Sequence, residues 1–235
     1  MKSPSIYPLG DTAAVVEFGG GISAATMRRI AALGQQLVRQ PLPGLRETVP
    51  AYTTLTVFYD PACAYEQVAA WLRNALTASE AAPNTPVSPP EVVEIPVCYG
   101  GEYGPDLAAV AAHTGLEMNE VITRHAAPTY LVHLLGFLPG FPYLGVLDAQ
   151  LTTPRRASPR ARVPAGAVGI AGAQTGIYPL ASPGGWQLIG RTPLRLFDPA
   201  WPEPTRLRAG QQLRFVPISA TEFEKMRQMC RYKDV

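Results

Sequence analysis

The sequence predicts an α+β protein in which a small α/β unit precedes a mainly β domain. Three observations predict this. Ser79 to Pro90 packs four prolines and small polar residues into twelve positions, which breaks regular structure and marks a connection. Ahead of that break, segments with helical period alternate with β-branched runs. Beyond it, ten of the chain's 21 glycines crowd between Gly136 and Gly190, interleaved with core-sized residues such as Phe141, Ile170, Ile177 and Trp186. Gly costs about 1 kcal/mol and Pro about 3 in a helix interior, so that stretch reads as short strands joined by turns.

The elements follow in order. Ala13 to Phe18 is a strand after the Gly10-Asp11 turn. Ser23 can cap a helix over residues 24–39, whose Met27, Ile30, Leu33 and Leu37 share a face. Pro41 and Pro43-Gly44 end it. Residues 45–49 and 53–59 are strands, the second (TTLTVFY) rich in the β-branched and aromatic side chains that strands prefer. Residues 65–77 return to helical period through Val68, Leu72 and Leu76, and 91–98 (EVVEIPVC) is a further strand. The order β-α-β-β-α-β is that of a ferredoxin-like split unit, although its last strand could equally open the next domain. This gives an N-terminal domain over 1–82, a proline-rich linker over 83–90 and a second domain over 91–235. Within the second, short helices are expected at 106–113 and 117–125. Strands and turns fill 130–217 as a barrel or sandwich, and a final helix covers 221–232.

Composition narrows the function classes. Hydrophobic residues make up 47% of the chain and charged residues 16%, so a partner covering part of the surface is expected. A net charge of +2 is too small to imply nucleic acid. No apolar run approaches the roughly 20 residues of a membrane span, and the N-terminus has no apolar signal core, so a cytoplasmic protein is expected. Cys63, Cys98 and Cys230 have neither zinc nor disulfide spacing. His125 and His133 stand eight apart with Pro128 between them, so no helix aligns them, and no metal site is expected. Phosphate-loop, dinucleotide, HExxH and GxSxG patterns are all missing.

Chemistry concentrates between Tyr130 and Phe197, where six arginines face a single acidic residue, Asp148. Arg155, Arg156, Arg160 and Arg162 fall in eight residues stiffened by Pro154, Pro159 and Pro164. Such a loop can aim guanidinium groups at a carboxylate or phosphate; a solvated basic loop is the plainer meaning. Gly136 to Gly145 (GFLPGFPYLG) reads as a shaped pocket wall or as a packed loop. Gly166, Gly169, Gly172 and Gly176 surround Gln174 and Thr175, where backbone N–H groups can approach an oxyanion; tight barrel turns need the same glycines. The candidate catalytic residues are His125, Arg162 and Gln174. The candidate substrate-binding residues are Phe137, Gly140, Phe141, Tyr143, Arg155, Arg160, Thr175 and Tyr178. Arginine would hold an anion, the Gln174 amide can both donate and accept, and His125 would move a proton near neutral pH.

The runs GFLPGFPYLG, PRRASPRARVPAG, GIAGAQTGIYP and SPGGWQLIGRTP, with YGGEYGPDLAAVA upstream, resemble the family of the 5-oxoprolinase B subunit, the kinase inhibitor KipI and allophanate hydrolase subunit 1. The likeness spans about residues 5 to 217 and includes carboxyltransferase subdomains C and D. Ala167 departs from the pattern, which usually carries Ser there. The resemblance implies a cyclophilin-like β-barrel after the α/β domain. It implies a KipA-like partner, the C subunit of 5-oxoprolinase, and a third protein, its A subunit. Together these would convert 5-oxoproline to glutamate with ATP held alongside the partner, and the chain would be inactive alone. The family equally implies an alternative, a KipI-type protein that binds and inhibits a sensor histidine kinase. Peptidyl-prolyl isomerase activity would follow only from the barrel, and fold does not carry function.

Overall fold

The computed structural model describes residues 3–21, 23–81, 92–145 and 147–233. The chain divides into two compact units, Met1–Pro89 and Pro90–Val235. The expected linker at 83–90 lies outside the described residues.

The first unit contains β1 (Ser5–Pro8), β2 (Ala13–Glu17), α1 (Ala24–Arg39), β3 (Leu45–Pro50), β4 (Thr54–Tyr59) and α2 (Tyr65–Ala81). Its antiparallel sheet runs β1-β2-β4-β3. The Ser23 hydroxyl accepts the Thr26 N–H at 3.1 Å, satisfying an orphan donor at the start of α1. Ile30, Leu33 and Leu37 of α1 and Val68 and Leu72 of α2 are fully buried with Val16, Leu55 and Val57 of the sheet. Each such side chain contributes about 1.5–3 kcal/mol by leaving water.

Of the two places left open for the strand at 91–98, the second domain holds it. The strand at 91–98 does not complete this sheet. The position beside β2 is filled by β1, a four-residue strand too short to show a period. The unit therefore keeps the split β-α-β-β-α core, with its outer strand supplied from the N-terminal side.

The second unit contains β5 (Val92–Tyr99), α3 (Leu107–Thr114), α4 (Met118–Ala126), β6 (Tyr130–Leu135), β7 (Pro142–Gly145), β8 (Arg160–Val163), β9 (Ala167–Ala171), β10 (Gln174–Ile177), β11 (Ser182–Gly184), β12 (Gln187–Arg191), β13 (Gln212–Pro217) and α5 (Ala220–Lys233), with a short 3-10 turn at Ala149–Leu151. Seven strands close a barrel in the order β10-β7-β6-β13-β5-β12-β9, and β10 pairs with β9 to seal it. The choice between barrel and sandwich is thus settled as a closed barrel, which leaves these strands no free edge. β8 and β11 form a separate two-stranded sheet.

Side chains alternate across the barrel wall, as the period of two requires. Val168, Ile170, Ile177 and Ile189 enter the main core with Tyr130, Val132 and Phe215. Ala167, Ala171 and Leu188 instead join a second cluster containing Phe141, Val163, Tyr178 and Trp186. Glycines occupy outward positions beneath that second layer. A Cβ on Gly176 would sit 3.0 Å from the Phe141 ring, and one on Gly169 would sit 3.1 Å from Trp186 Cβ. Glycine at these positions leaves room for Phe141 and Trp186 to pack against the wall.

Candidate functional site on the barrel

The second cluster is an aromatic face. Phe141 is its hub, with ring centroids 4.9 Å from Tyr143, 5.2 Å from Tyr178 and 5.3 Å from Trp186. The last two pairs are near-perpendicular, the edge-to-face geometry that ring quadrupoles favour. Phe137 adds a fifth ring, 5.6 Å from Phe141 at 90°. Unlike the others it stands in solvent, 64% exposed.

The backbone that presents Phe137 is strained. Its φ is +67°, the one positive value at a non-glycine among the described residues. The Leu138 N–H reaches the Gly136 carbonyl at 2.8 Å, closing a three-residue turn about Phe137. The Phe141 N–H to Leu138 carbonyl bond, 3.0 Å, and Gly140 at φ +78° finish the loop. Such conformations cost on the order of 1–3 kcal/mol and persist where the surroundings enforce them. Here the cost holds a large apolar ring out in water.

The arginine loop splits by role. Arg156 and Arg160 do not point to an open site. Both grip Asp106, a buried carboxylate just ahead of α3. Arg160 makes two bonds to it, 2.8 and 2.7 Å, Arg156 adds one at 3.1 Å, and the Leu188 N–H adds a fourth at 2.7 Å. The sequence places no acid near these arginines because the partner lies about fifty positions upstream. Asp106, expected only to start a helix, makes no capping bond because its oxygens are spent on this clamp. Further bonds tie the loop down: Arg156 N–H to the Gly185 carbonyl, 2.8 Å, and Gln187 Nε2 to the Pro154 carbonyl, 3.0 Å.

Arg155 and Arg162 remain exposed. Arg155 lies close enough to Tyr143 and Tyr178 to act on both phenols. Burial raises the pKa of each phenol, and the Arg155 charge opposes that rise. For Tyr178, a bond from the Trp186 backbone opposes it more strongly, and Arg160 adds to the opposition. Arg162 is on β8, next to Val163 of the aromatic cluster.

His125 and Thr175 fall on the other side of the wall, which corrects the expectation that His125 moves a proton at the site. His125 is fully buried and stacked on Phe215 at 4.6 Å. Its Nδ1 lies 2.8 Å from the Tyr99 hydroxyl and its Nε2 lies 2.8 Å from the Thr175 hydroxyl. Thr175 donates onward to the Gly169 carbonyl at 3.0 Å. That donation makes Thr175 the acceptor of the imidazole N–H, so Nε2 carries the proton and Tyr99 donates to Nδ1. Burial lowers the His125 pKa to about 3. The ring is a neutral core group. Alternation on β10 explains the outcome: Thr175 and Ile177 point in, whereas Gln174 and Gly176 lie on the outer face.

The structure therefore brings together Phe137, Phe141, Tyr143, Tyr178 and Arg155. It spends Arg160 on Asp106, makes Gly140 a turn residue and encloses His125 and Thr175. Reasoning from sequence misses Trp186 and Asp106 as members of this region. Trp186 carries a signal, since the adjacent Gly184 and Gly185 make room for rings; Asp106 carries none.

Known proteins share this chain's pattern at length. The carboxyltransferase domain family, subdomains C and D, matches residues 4–207. A protein of Escherichia coli O157:H7 named as the B subunit of 5-oxoprolinase is 49% identical over 222 residues, covering 92% of this chain and 97% of that one. Its Bacillus subtilis namesake is 44% identical over 227 residues, covering 93% and 94%. Among solved structures, TTHA0988 is 42% identical with a TM-score of 0.77; the match covers 88% of this chain, which spans only 40% of that longer one. The Kluyveromyces lactis urea carboxylase shares the fold, with a TM-score of 0.73 at 20% identity over 96% of this chain and 22% of its own. With such likeness over nearly its whole length, the chain belongs to the 5-oxoprolinase B-subunit family of carboxyltransferase C and D domains.

Proposed function

We propose that the protein is the B subunit of an ATP-dependent amidohydrolase that opens 5-oxoproline to glutamate, acting with a KipA-like C subunit and an A subunit. The near full-length identity to two proteins named as 5-oxoprolinase B subunits carries this reading. A lactam resists hydrolysis because its nitrogen is a poor leaving group and its carbonyl is stabilised by resonance. ATP supplies a phosphoryl group that activates the carbonyl oxygen, and the developing charge then needs cationic and N–H partners.

The aromatic face supplies suitable groups. Phe141, Tyr178 and Trp186 are buried and back the exposed Phe137 ring, which offers an apolar contact for a small planar amide. Arg155 is exposed and can take the substrate carboxylate or a phosphate. The Tyr143 hydroxyl and the Gln174 amide can bond the lactam edge. His125 has no part in proton transfer, so that step falls to a group on a partner protein or to water.

Coexpression of the three chains, followed by an assay for ATP-dependent glutamate release from 5-oxoproline, tests the proposal. Release that needs all three chains and ATP supports it. A purified, intact assembly that releases no glutamate sinks it.

A second reading has one observation in its favour. A strained loop that exposes Phe137 is also what a protein-docking surface uses, as a KipI-type inhibitor of a histidine kinase would need. Suppression of kinase autophosphorylation by this protein alone would favour it.

A further inference from the structure

A cleft of about 240 Å³ opens elsewhere on the second unit and shares no residue with the aromatic face. Three arginines line it: Arg191 at the end of β12, Arg195 just beyond, and Arg227 of α5. Two of them are set by acids. Arg195 pairs with Asp198 at 2.7 Å, and Arg227 pairs with Glu224 at 2.7 Å.

Arg191 is different. Its Nε donates to the Ala165 carbonyl at 2.8 Å, and among the described residues its other guanidinium N–H groups make no hydrogen bond or ion pair. Half-buried and beside Arg227, it has its pKa pushed down, by loss of water first and by the like charge second. Glu102, Glu224 and Tyr103 are near enough to soften this without reversing it. The terminal nitrogens of Arg191 therefore keep donor capacity for an anion, beside a second guanidinium that already holds Glu224.

The mount is rigid. Gly166, at φ +82°, packs so closely on the Thr192 carbonyl that a Cβ would meet it at 2.3 Å. The Thr192 N–H returns a bond to the Gly166 carbonyl at 2.9 Å. The turn that carries Ala165 is thereby locked to the strand end that carries Arg191, which fixes the guanidinium plane. Pro193 and Phe223 supply apolar walls.

We propose that this cleft is a binding site for a small oxyanion, a carboxylate or phosphate group held by the Arg191 fork with Arg227 lining the same cleft. A planar fork makes two charge-assisted bonds to either group. The cleft lies below the usual 300–1,000 Å³ of pockets that enclose drug-sized ligands, so the occupant is small. The inference concerns binding and stands apart from the reaction proposed above.

Titration calorimetry of the full chain at low ionic strength, with inorganic phosphate and with malonate as separate probes, tests it. Saturable binding of at least one probe with Kd of about 1 mM or tighter is expected. Arg227→Ala and Arg191→Lys should each weaken it about tenfold or more, whereas Arg214→Ala, which does not line the cleft and is paired with Glu94, should not. Arg227 sits on an exposed helix, so that variant keeps the test valid even if Arg191→Lys folds poorly. Preference for phosphate or for malonate identifies which oxyanion the site takes. Absence of saturable binding by both probes, or binding that the Arg227 variant leaves unchanged, overturns the proposal.

Discussion

Phe137 and His125 show at the residue scale what position does to chemistry. The Phe137 ring contacts its neighbours edge-on while its backbone holds a φ that glycine would adopt freely. Phe137→Gly should therefore leave the melting temperature unchanged or raise it, since the strain relieved, about 1–3 kcal/mol, offsets the lost ring contacts. Activity of the assembled enzyme should fall. A matched drop in both would mean that the ring only packs. Arg155→Ala should cut glutamate release tenfold or more, about 1.4 kcal/mol per factor of ten, with stability unaltered because the side chain is exposed. His125 gives a pH prediction. The unfolded chain protonates this histidine near 6.5, while burial holds the folded value to about 3. Between those values the unfolded state binds more protons, so stability falls as pH drops from about 6.5 toward 3, by up to ~1.4 kcal/mol per unit. His133, also lowered by burial, adds in the same direction. His125→Gln should lower stability at neutral pH yet flatten this acid slope; urea melts across the range read both.

Elements carry these residues, and at this scale the sequence was legible where periodicity was long. The helix expected at 24–39 is observed at Ala24–Arg39. The Ser23 cap, the Leu33–Leu37 face and the Pro41 stop all agreed, as consistent local signals do. β1 was not legible, because four residues ending in Pro8 show no period. Side-chain partners were legible least. Nothing local in PRRASPRARV tells that Arg156 and Arg160 will meet Asp106, since that contact exists only once the barrel closes. The clamp has a measurable consequence. Asp106→Asn keeps the shape but removes the charge from three arginine bonds and a backbone bond, costing on the order of 1.5–3 kcal/mol. Loss of the clamp should also free the loop, so trypsin should cut after Arg155 or Arg162 sooner than in the parent protein, before global unfolding. The wall glycines make the complementary case. Gly176→Ala would push a methyl to 3.0 Å from the Phe141 ring and 2.8 Å from the Pro142 carbonyl, and should cost about 1–3 kcal/mol by overpacking, with a changed near-ultraviolet dichroism from the displaced rings.

For the whole molecule, the surface rather than the core sets the expectation. Only 16% of residues are charged, and no helix among the described residues is long and apolar enough to cross a membrane. The exposed large apolar side chains, Leu9, Met118 and above all Phe137, therefore call for another explanation. Phe137 stands exposed beside an aromatic cluster whose other rings are already buried, so this one ring is left uncovered. A ring kept in water by strained backbone gains free energy on being covered, which is how central anchors behave in specific interfaces. Membership of a family named for one part of a multi-chain enzyme points the same way. The expected outcome is a stable hetero-complex with the proposed KipA-like partner, burying more than about 1,000 Å² as specific interfaces do. Size-exclusion chromatography of the coexpressed pair should give one peak at micromolar concentration containing both chains. Phe137→Gly should raise the dissociation rate if the aromatic face is the contact, and leave it unaltered if that face serves substrate. Two independent peaks from well-folded chains would remove the paired assembly altogether.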